Sequence, residues 1–117
     1  MSHDSQELSV NVESFHRVDL ITVSGRLHSG NAHDLEEMFQ ELAAKNRYQY
    51  VVDLSGVSYM SSAGLRSLVS TLRQNKKNGG DLRLSDPSDR VVEVLKLAGL
   101  HAIFQAYDTA VAAVGSY

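Results

Sequence analysis

The chain has no cysteine. A disulfide framework and a thiolate metal site are both excluded by that absence. It also lacks any apolar run near the ~20 residues that a membrane-spanning helix needs. Its polar start, Met1-Ser2-His3-Asp4-Ser5-Gln6, has no apolar stretch of the kind found in a signal peptide. These readings predict a cytoplasmic protein with no membrane span. An excess of positive charge is missing as well: 11 Lys and Arg stand against 14 Asp and Glu, a formal net charge of −3. A chain with no basic field is not expected to bind nucleic acid. Catalytic signatures are equally scarce. There is no Gly-x-Ser-x-Gly elbow and no Gly-rich phosphate loop followed by lysine. Ser62 has no base evident in the sequence. The expectation is a protein that is not an enzyme and takes no cofactor. His3, His16, His28, His33 and His101 form no i,i+4 pair and sit in no known metal motif. They read as solvated or capping side chains, and no metal is expected.

What is present is enough for one folded unit. At 117 residues with 43% apolar content the chain can build a hydrophobic core. One domain over residues 1–117 is expected, with residues 1–6 flexible. Residues 7–15 alternate apolar and polar, with Leu8, Val10 and Val12 on one face, which is the period of a half-buried strand. A second strand covers 18–24 and is expected to end at Gly25. The short connection between them predicts an antiparallel hairpin. Leu35, Met38, Phe39, Leu42 and Ala43 recur at helical spacing over 31–46, with Asn31 or Ser29 as the cap. A third strand, 50–54, is wholly apolar except Asp53, and a loop over 55–59 is expected after it. A second helix spans about 62–78, with Leu65, Leu68, Val69 and Leu72 inward and Gly79-Gly80 as its stop. A fourth strand covers 81–85. The single proline, Pro87, opens a third helix over 89–97. A short edge strand within 104–107 and a terminal helical turn within 109–114 complete the pattern. Strands that alternate with helices imply crossovers and a mostly parallel sheet. The core is expected to hold Val10, Val51, Leu54, Leu65, Leu68, Leu84, Val94 and Leu95.

The most informative segment is 51–65, Val-Val-Asp-Leu-Ser-Gly-Val-Ser-Tyr-Met-Ser-Ser-Ala-Gly-Leu. Ser61 and Ser62 stand immediately before the second helix. A serine there caps orphan backbone N–H groups. The same N–H groups and the helix dipole favour an anion, so a phosphorylated hydroxyl would be tolerated on the surface. Each residue has a plainer structural role open to it. Ser62 reads locally as a plain cap. Gly64 either admits a partner's loop or packs the helix tightly on the sheet. Asp53 either meets a partner at a strand end or accepts N–H groups from the loop that follows. Arg66 either pairs with a phosphate or an acidic partner, or is an exposed surface side chain.

The segment resembles the core motif of the STAS domain family, in particular bacterial anti-sigma factor antagonists. Asp53-Leu54-Ser55 matches the end of that family's strand, Tyr59-Met60 its apolar pair, and Ser62-Ala63-Gly64-Leu65 its last four positions. Val23-Ser24-Gly25-Arg26-Leu27 is similar to a second conserved turn, and the helix ending Leu97-Ala98-Gly99-Leu100 to a late one. The resemblance implies an α/β fold: one STAS-like domain with a mixed, mostly parallel sheet of four to five strands and about four helices packed against it. It implies a phosphorylatable serine at Ser62, with Ser61 the alternative. Asp53, Ser61, Ser62, Ala63, Gly64, Arg66 and His28 would then contact the partner. That partner is an anti-sigma factor with serine-kinase activity, and a serine phosphatase resets the switch. The chain departs from the family at Ser61 and His28, where aspartate is usual. These departures keep a second reading open, an unphosphorylated scaffold subunit of a signalling or transport assembly.

Overall fold

The alternation of strand and helix periods resolves into one mixed sheet. A computed structural model describes residues 7–117; the flexibility expected of residues 1–6 lies outside them. The elements run β1 (Ser9–Ser14), β2 (Asp19–Leu27), α1 (Ala32–Ala44), β3 (Gln49–Met60), α2 (Ser62–Lys77), β4 (Asp81–Ser85), α3 (Asp89–Leu97), β5 (Ala106–Tyr107) and α4 (Ala110–Gly115). The strands lie side by side in sequence order, β1-β2-β3-β4-β5. β1 and β2 form the antiparallel hairpin, and every other pairing is parallel. This is the α/β architecture that the alternating pattern implies, with five strands and four helices.

The two-residue period of the strands sorts the core onto two faces. Tyr50, Val52 and Leu54 of β3 join Ile21, Val23, Leu82 and Leu84 beneath α1, α2 and α3. Val51, one residue out of phase, faces the other way and packs with Val18 and Ala113. The apolar run of β3 therefore reflects a strand covered on both sides. On the main face Tyr50 stacks on Phe39 with ring centroids 5.5 Å apart. Its hydroxyl donates to the Phe39 carbonyl at 3.2 Å. Burial pushes that phenol well above its ordinary pKa, so it stays protonated and keeps donating. On the other face Tyr117 reaches across to donate its hydroxyl to the Tyr50 carbonyl at 2.6 Å.

Three expectations need correction. Val10 and Val94 are half-buried rather than core, because β1 is an edge strand and Val94 lies at the flank of α3; the other six core candidates are buried. The second strand does not stop at Gly25 but runs through it to Leu27. Gly25 takes φ +98°, and a Cβ there would lie 2.1 Å from the Glu7 carbonyl oxygen, so only glycine lets the strand continue. The loop expected over 55–59 is also strand: β3 extends to Met60 and pairs with Ser24 to Leu27. Its register against β2 shifts between Thr22 and Ser24 and again between Gly25 and Arg26, with an extra β3 residue each time. These bulges break the simple alternation and make a strand look like a turn. Asp19 is fully buried and paired with Arg47 at 2.7 Å.

Leu68 sits at the centre of α2 with no exposure. Replacing it with alanine is expected to lower unfolding free energy by about 2–5 kcal/mol in urea denaturation. An unchanged midpoint would show that α2 packs through another face.

Candidate functional site

The serine segment is placed by three contacts. β3 ends at Met60, and the chain turns directly into α2. Ser61 N–H donates to the Leu27 carbonyl at 2.9 Å, which ties the end of β2 to the start of the helix. Gly64 then lies against Leu27 and Met60 so closely that a Cβ would stand 2.6 Å from Leu27 Cγ. Of the two roles open to Gly64, the close packing of helix on sheet is the one the structure displays.

The two serines separate by one residue of helix geometry. Ser61 is the cap residue, in extended backbone conformation, and its carbonyl accepts the first helical bond from Leu65 N at 3.1 Å. Its hydroxyl is buried and has no hydrogen-bond partner among the described residues. Ser62 is the first helical residue and is exposed. The first turn of α2 carries no acidic side chain. Negative charge at Ser62 would therefore meet the positive end of the helix dipole and no opposing carboxylate in that turn. Arg66, four residues on, is exposed on the same helix face.

His28 follows Leu27, whose carbonyl accepts from Ser61 N–H. Its loop is held from within. His28 N–H donates to Asn31 Oδ1 at 2.9 Å, and Asn31 Nδ2 donates to the Arg26 carbonyl at 2.9 Å. Asn31 is thus the cap residue of α1, but its side chain braces the loop instead of the helix N–H groups. Asp53 takes a different place. It lies within β3, and its carboxylate accepts from Ser55 N–H at 2.9 Å at the first register shift. No hydrogen bond links it to Ser61 or Ser62 among the described residues. Ala63 is half-buried against the core. The structure therefore gathers Ser61, Ser62, Ala63, Gly64 and Arg66 on one helix start, places His28 one residue beyond the Leu27 junction, and leaves Asp53 at the bulge.

Two features were not foreseen. Ser88 Oγ donates to the Val57 carbonyl at 2.7 Å and accepts from Val91 N, joining the extended end of β3 to the start of α3. A groove of about 620 Å³ also runs from Ser62 along the outer face of α2 to Lys77, closed on one side by Leu100. The 66, 73, 77 spacing of its cations was legible on a helical wheel. The approach of Leu100, from beyond α3, was not. Among the described residues no cluster of three or more His, Asp or Glu could hold a metal ion. No helix there is long and apolar enough to cross a membrane.

A mixed five-stranded sheet whose central strand leads straight into a serine-headed helix is the arrangement of a STAS domain. The sequence model of the STAS domain family matches residues 9–113, and the chain belongs to that family. The anti-sigma-B factor antagonist of Bacillus subtilis is 32% identical over 83 residues, covering 71% of this chain and 75% of that protein. BtrV of Bordetella bronchiseptica is 30% identical over 95 residues, covering 81% of this chain and 82% of that protein. The crystal structure of an anti-sigma factor antagonist from Mycobacterium paratuberculosis superposes with a TM-score of 0.84 at 26% identity, covering 95% of this chain and 94% of the other.

The capping geometry separates two serines that look alike in sequence. Ser88→Ala removes two hydrogen bonds and is expected to cost about 1–2 kcal/mol in denaturant unfolding. Ser61→Ala removes a buried hydroxyl that makes none, and should leave stability within about 0.5 kcal/mol or raise it. Equal losses for the two would contradict this assignment. Gly64→Ala should destabilise by about 1–3 kcal/mol through overpacking against Leu27. Gly115→Ala, where a Cβ meets nothing within 4 Å, provides the control.

Proposed function

We propose that this protein is an anti-sigma factor antagonist, switched by reversible phosphorylation of Ser62. The observation that carries the reading is the placement of Ser62: exposed, first in α2, at the positive end of the dipole, with Arg66 one turn on. The names of the relatives supply the class of partner. Unphosphorylated, the protein binds an anti-sigma factor with serine-kinase activity and so frees a sigma factor. The kinase transfers the γ-phosphoryl group of ATP to Ser62 Oγ; ADP leaves and the hydroxyl proton passes to solvent. The new group carries nearly two negative charges and three acceptor oxygens. Set in a contact surface it must be desolvated against the partner, and the complex separates. A serine phosphatase hydrolyses the ester and restores the hydroxyl. On this reading the protein is the kinase's substrate, acts in the cytoplasm and performs no catalysis itself.

His28 and Ser61 bear on the mechanism. Where the family usually places two carboxylates, this chain has an imidazole and a neutral hydroxyl. Repulsion of a phosphate at Ser62 is correspondingly weaker. A kinase that reads those acids would bind less well. The same substitutions favour the second reading, a constitutive STAS scaffold without phosphorylation.

Incubation with the kinase and ATP, followed by peptide mass spectrometry, is expected to place one phosphate on Ser62. Ser62→Ala should abolish labelling. Ser62→Asp should weaken the complex less than the phosphate does, since it adds a single charge. Phosphate on Ser61 instead would move the site by one residue. No phosphate on either serine, with a kinase that binds, would favour the scaffold.

A further inference from the structure

We propose that the groove along α2 docks an acidic amphipathic helix of the partner protein. This deepens the reading above and rests on it only for which protein supplies that helix. The floor of the groove is apolar: Leu65 and Val69 from α2, and Leu100 from the turn after α3. Its rim is cationic: Arg66, Arg73 and Lys77, all exposed. No aspartate or glutamate lines it, and none of the three cations pairs with a carboxylate among the described residues. This stripe lies on a chain whose net charge is −3, so it is a local field of opposite sign to the whole.

The shape and the chemistry select the occupant. α2 has 16 residues, and at 1.5 Å rise per residue it presents an edge of about 24 Å, or roughly four turns. A partner helix laid along it would place apolar anchors at i, i+3, i+4 and i+7 over the floor. Carboxylates flanking those anchors would meet the three cations. A second copy of this chain fits poorly. Its own acidic helix, α1, exposes Asp34, Glu36, Glu37 and Glu41, but its apolar side chains Leu35, Phe39 and Leu42 are buried in the core. It offers the charge without the anchors.

The position of Ser62 gives the groove a control. Ser62 lines one end of it, and Arg66 is one turn further along. A phosphate on Ser62 would compete with the partner's carboxylates for the Arg66 guanidinium at i+4, and would repel them. A phosphate there would oppose docking at that end of the groove.

The probe is a blocked, fluorescein-labelled 16-residue peptide of leucine, alanine and glutamate in helical register, with a twin carrying lysine for every glutamate. Fluorescence anisotropy with the full chain is expected to show the glutamate peptide binding at least about tenfold tighter than its twin. The Arg73→Glu, Lys77→Glu double variant, checked for an unchanged melting curve, should lose at least about tenfold. Backbone amide shifts should change along residues 62–77 and at Leu100. Equal binding of the two peptides, an unaffected double variant, or shifts elsewhere would each overturn the proposal. So would capture by phosphatidylglycerol vesicles with no binding of the glutamate peptide, which would assign the stripe to a lipid surface. A dimer in sedimentation that Arg73→Glu dissociates would assign the groove to a second copy. The titration needs no phosphate, so a kinase that fails to label Ser62 leaves docking standing. A peptide that fails while Ser62 is labelled removes docking alone.

Discussion

The hydrogen bond from Ser61 N–H to the Leu27 carbonyl, with Gly64 pressed on Leu27 and Met60, is the point on which the surface around Ser62 depends. It joins three segments that are far apart in the chain: the end of β2, the end of β3 and the first turn of α2. Because Gly64 has no side chain, the helix can approach the sheet closely at its first turn. With that turn seated, the next residues fall into place by helix geometry alone. Leu65 and Leu68 point inward, while Ser62 and Arg66 point outward.

The sheet that carries this junction is asymmetric. Its main face is filled by three helices, whereas its other face is closed by α4 and the side chain of Tyr117. Arg83 lies over the Tyr117 ring, 4.0 Å from its centroid, and also pairs with Asp81 at 3.0 Å. These contacts secure the last residues against the sheet. The half of β3 beyond Asp53 has no β4 partner. It is held by β2 on one side and by Ser88 at the start of α3 on the other. That extension carries the chain forward to the serines on a braced strand rather than on a loop, which limits how far Ser62 can wander.

Charge is distributed against the average of the chain. Acidic side chains gather on the exposed face of α1, and cations on the outer face of α2. Ser67 Oγ, buried between the two helices, donates to Glu36 at 2.6 Å, with the Ala63 carbonyl a longer alternative acceptor at 3.2 Å. The helices are thus linked, yet the cations of α2 face away from the acids of α1. A phosphate at Ser62 would enter a region of positive potential made from the helix dipole and Arg66, with no carboxylate in the first turn of the helix. The same potential would attract the carboxylates of a partner.

The elements were legible because their periods are local. Alternation in 9–14 and 81–85, and the 3.6-residue spacing in 32–44 and 62–77, survive in the structure nearly to the residue. The family motif was legible for a similar reason, since its residues are consecutive and end in the first turn of a helix. Contacts between distant residues were not legible. The bulges that turn 55–60 into strand depend on pairing with β2, and no property of Ser55-Gly56-Val57-Ser58 by itself separates that from a turn. The burial of Asp19 depends on Arg47 arriving from the far end of α1. Which serine caps and which is exposed was decided by Leu27, and the groove by the approach of Leu100. By itself the sequence determined the order of the elements, most of their inward faces and the family. The tertiary structure decided the register, the bulges and the surface that Ser62 shares with Arg66, because hydrogen bonding and packing join residues that no local period relates.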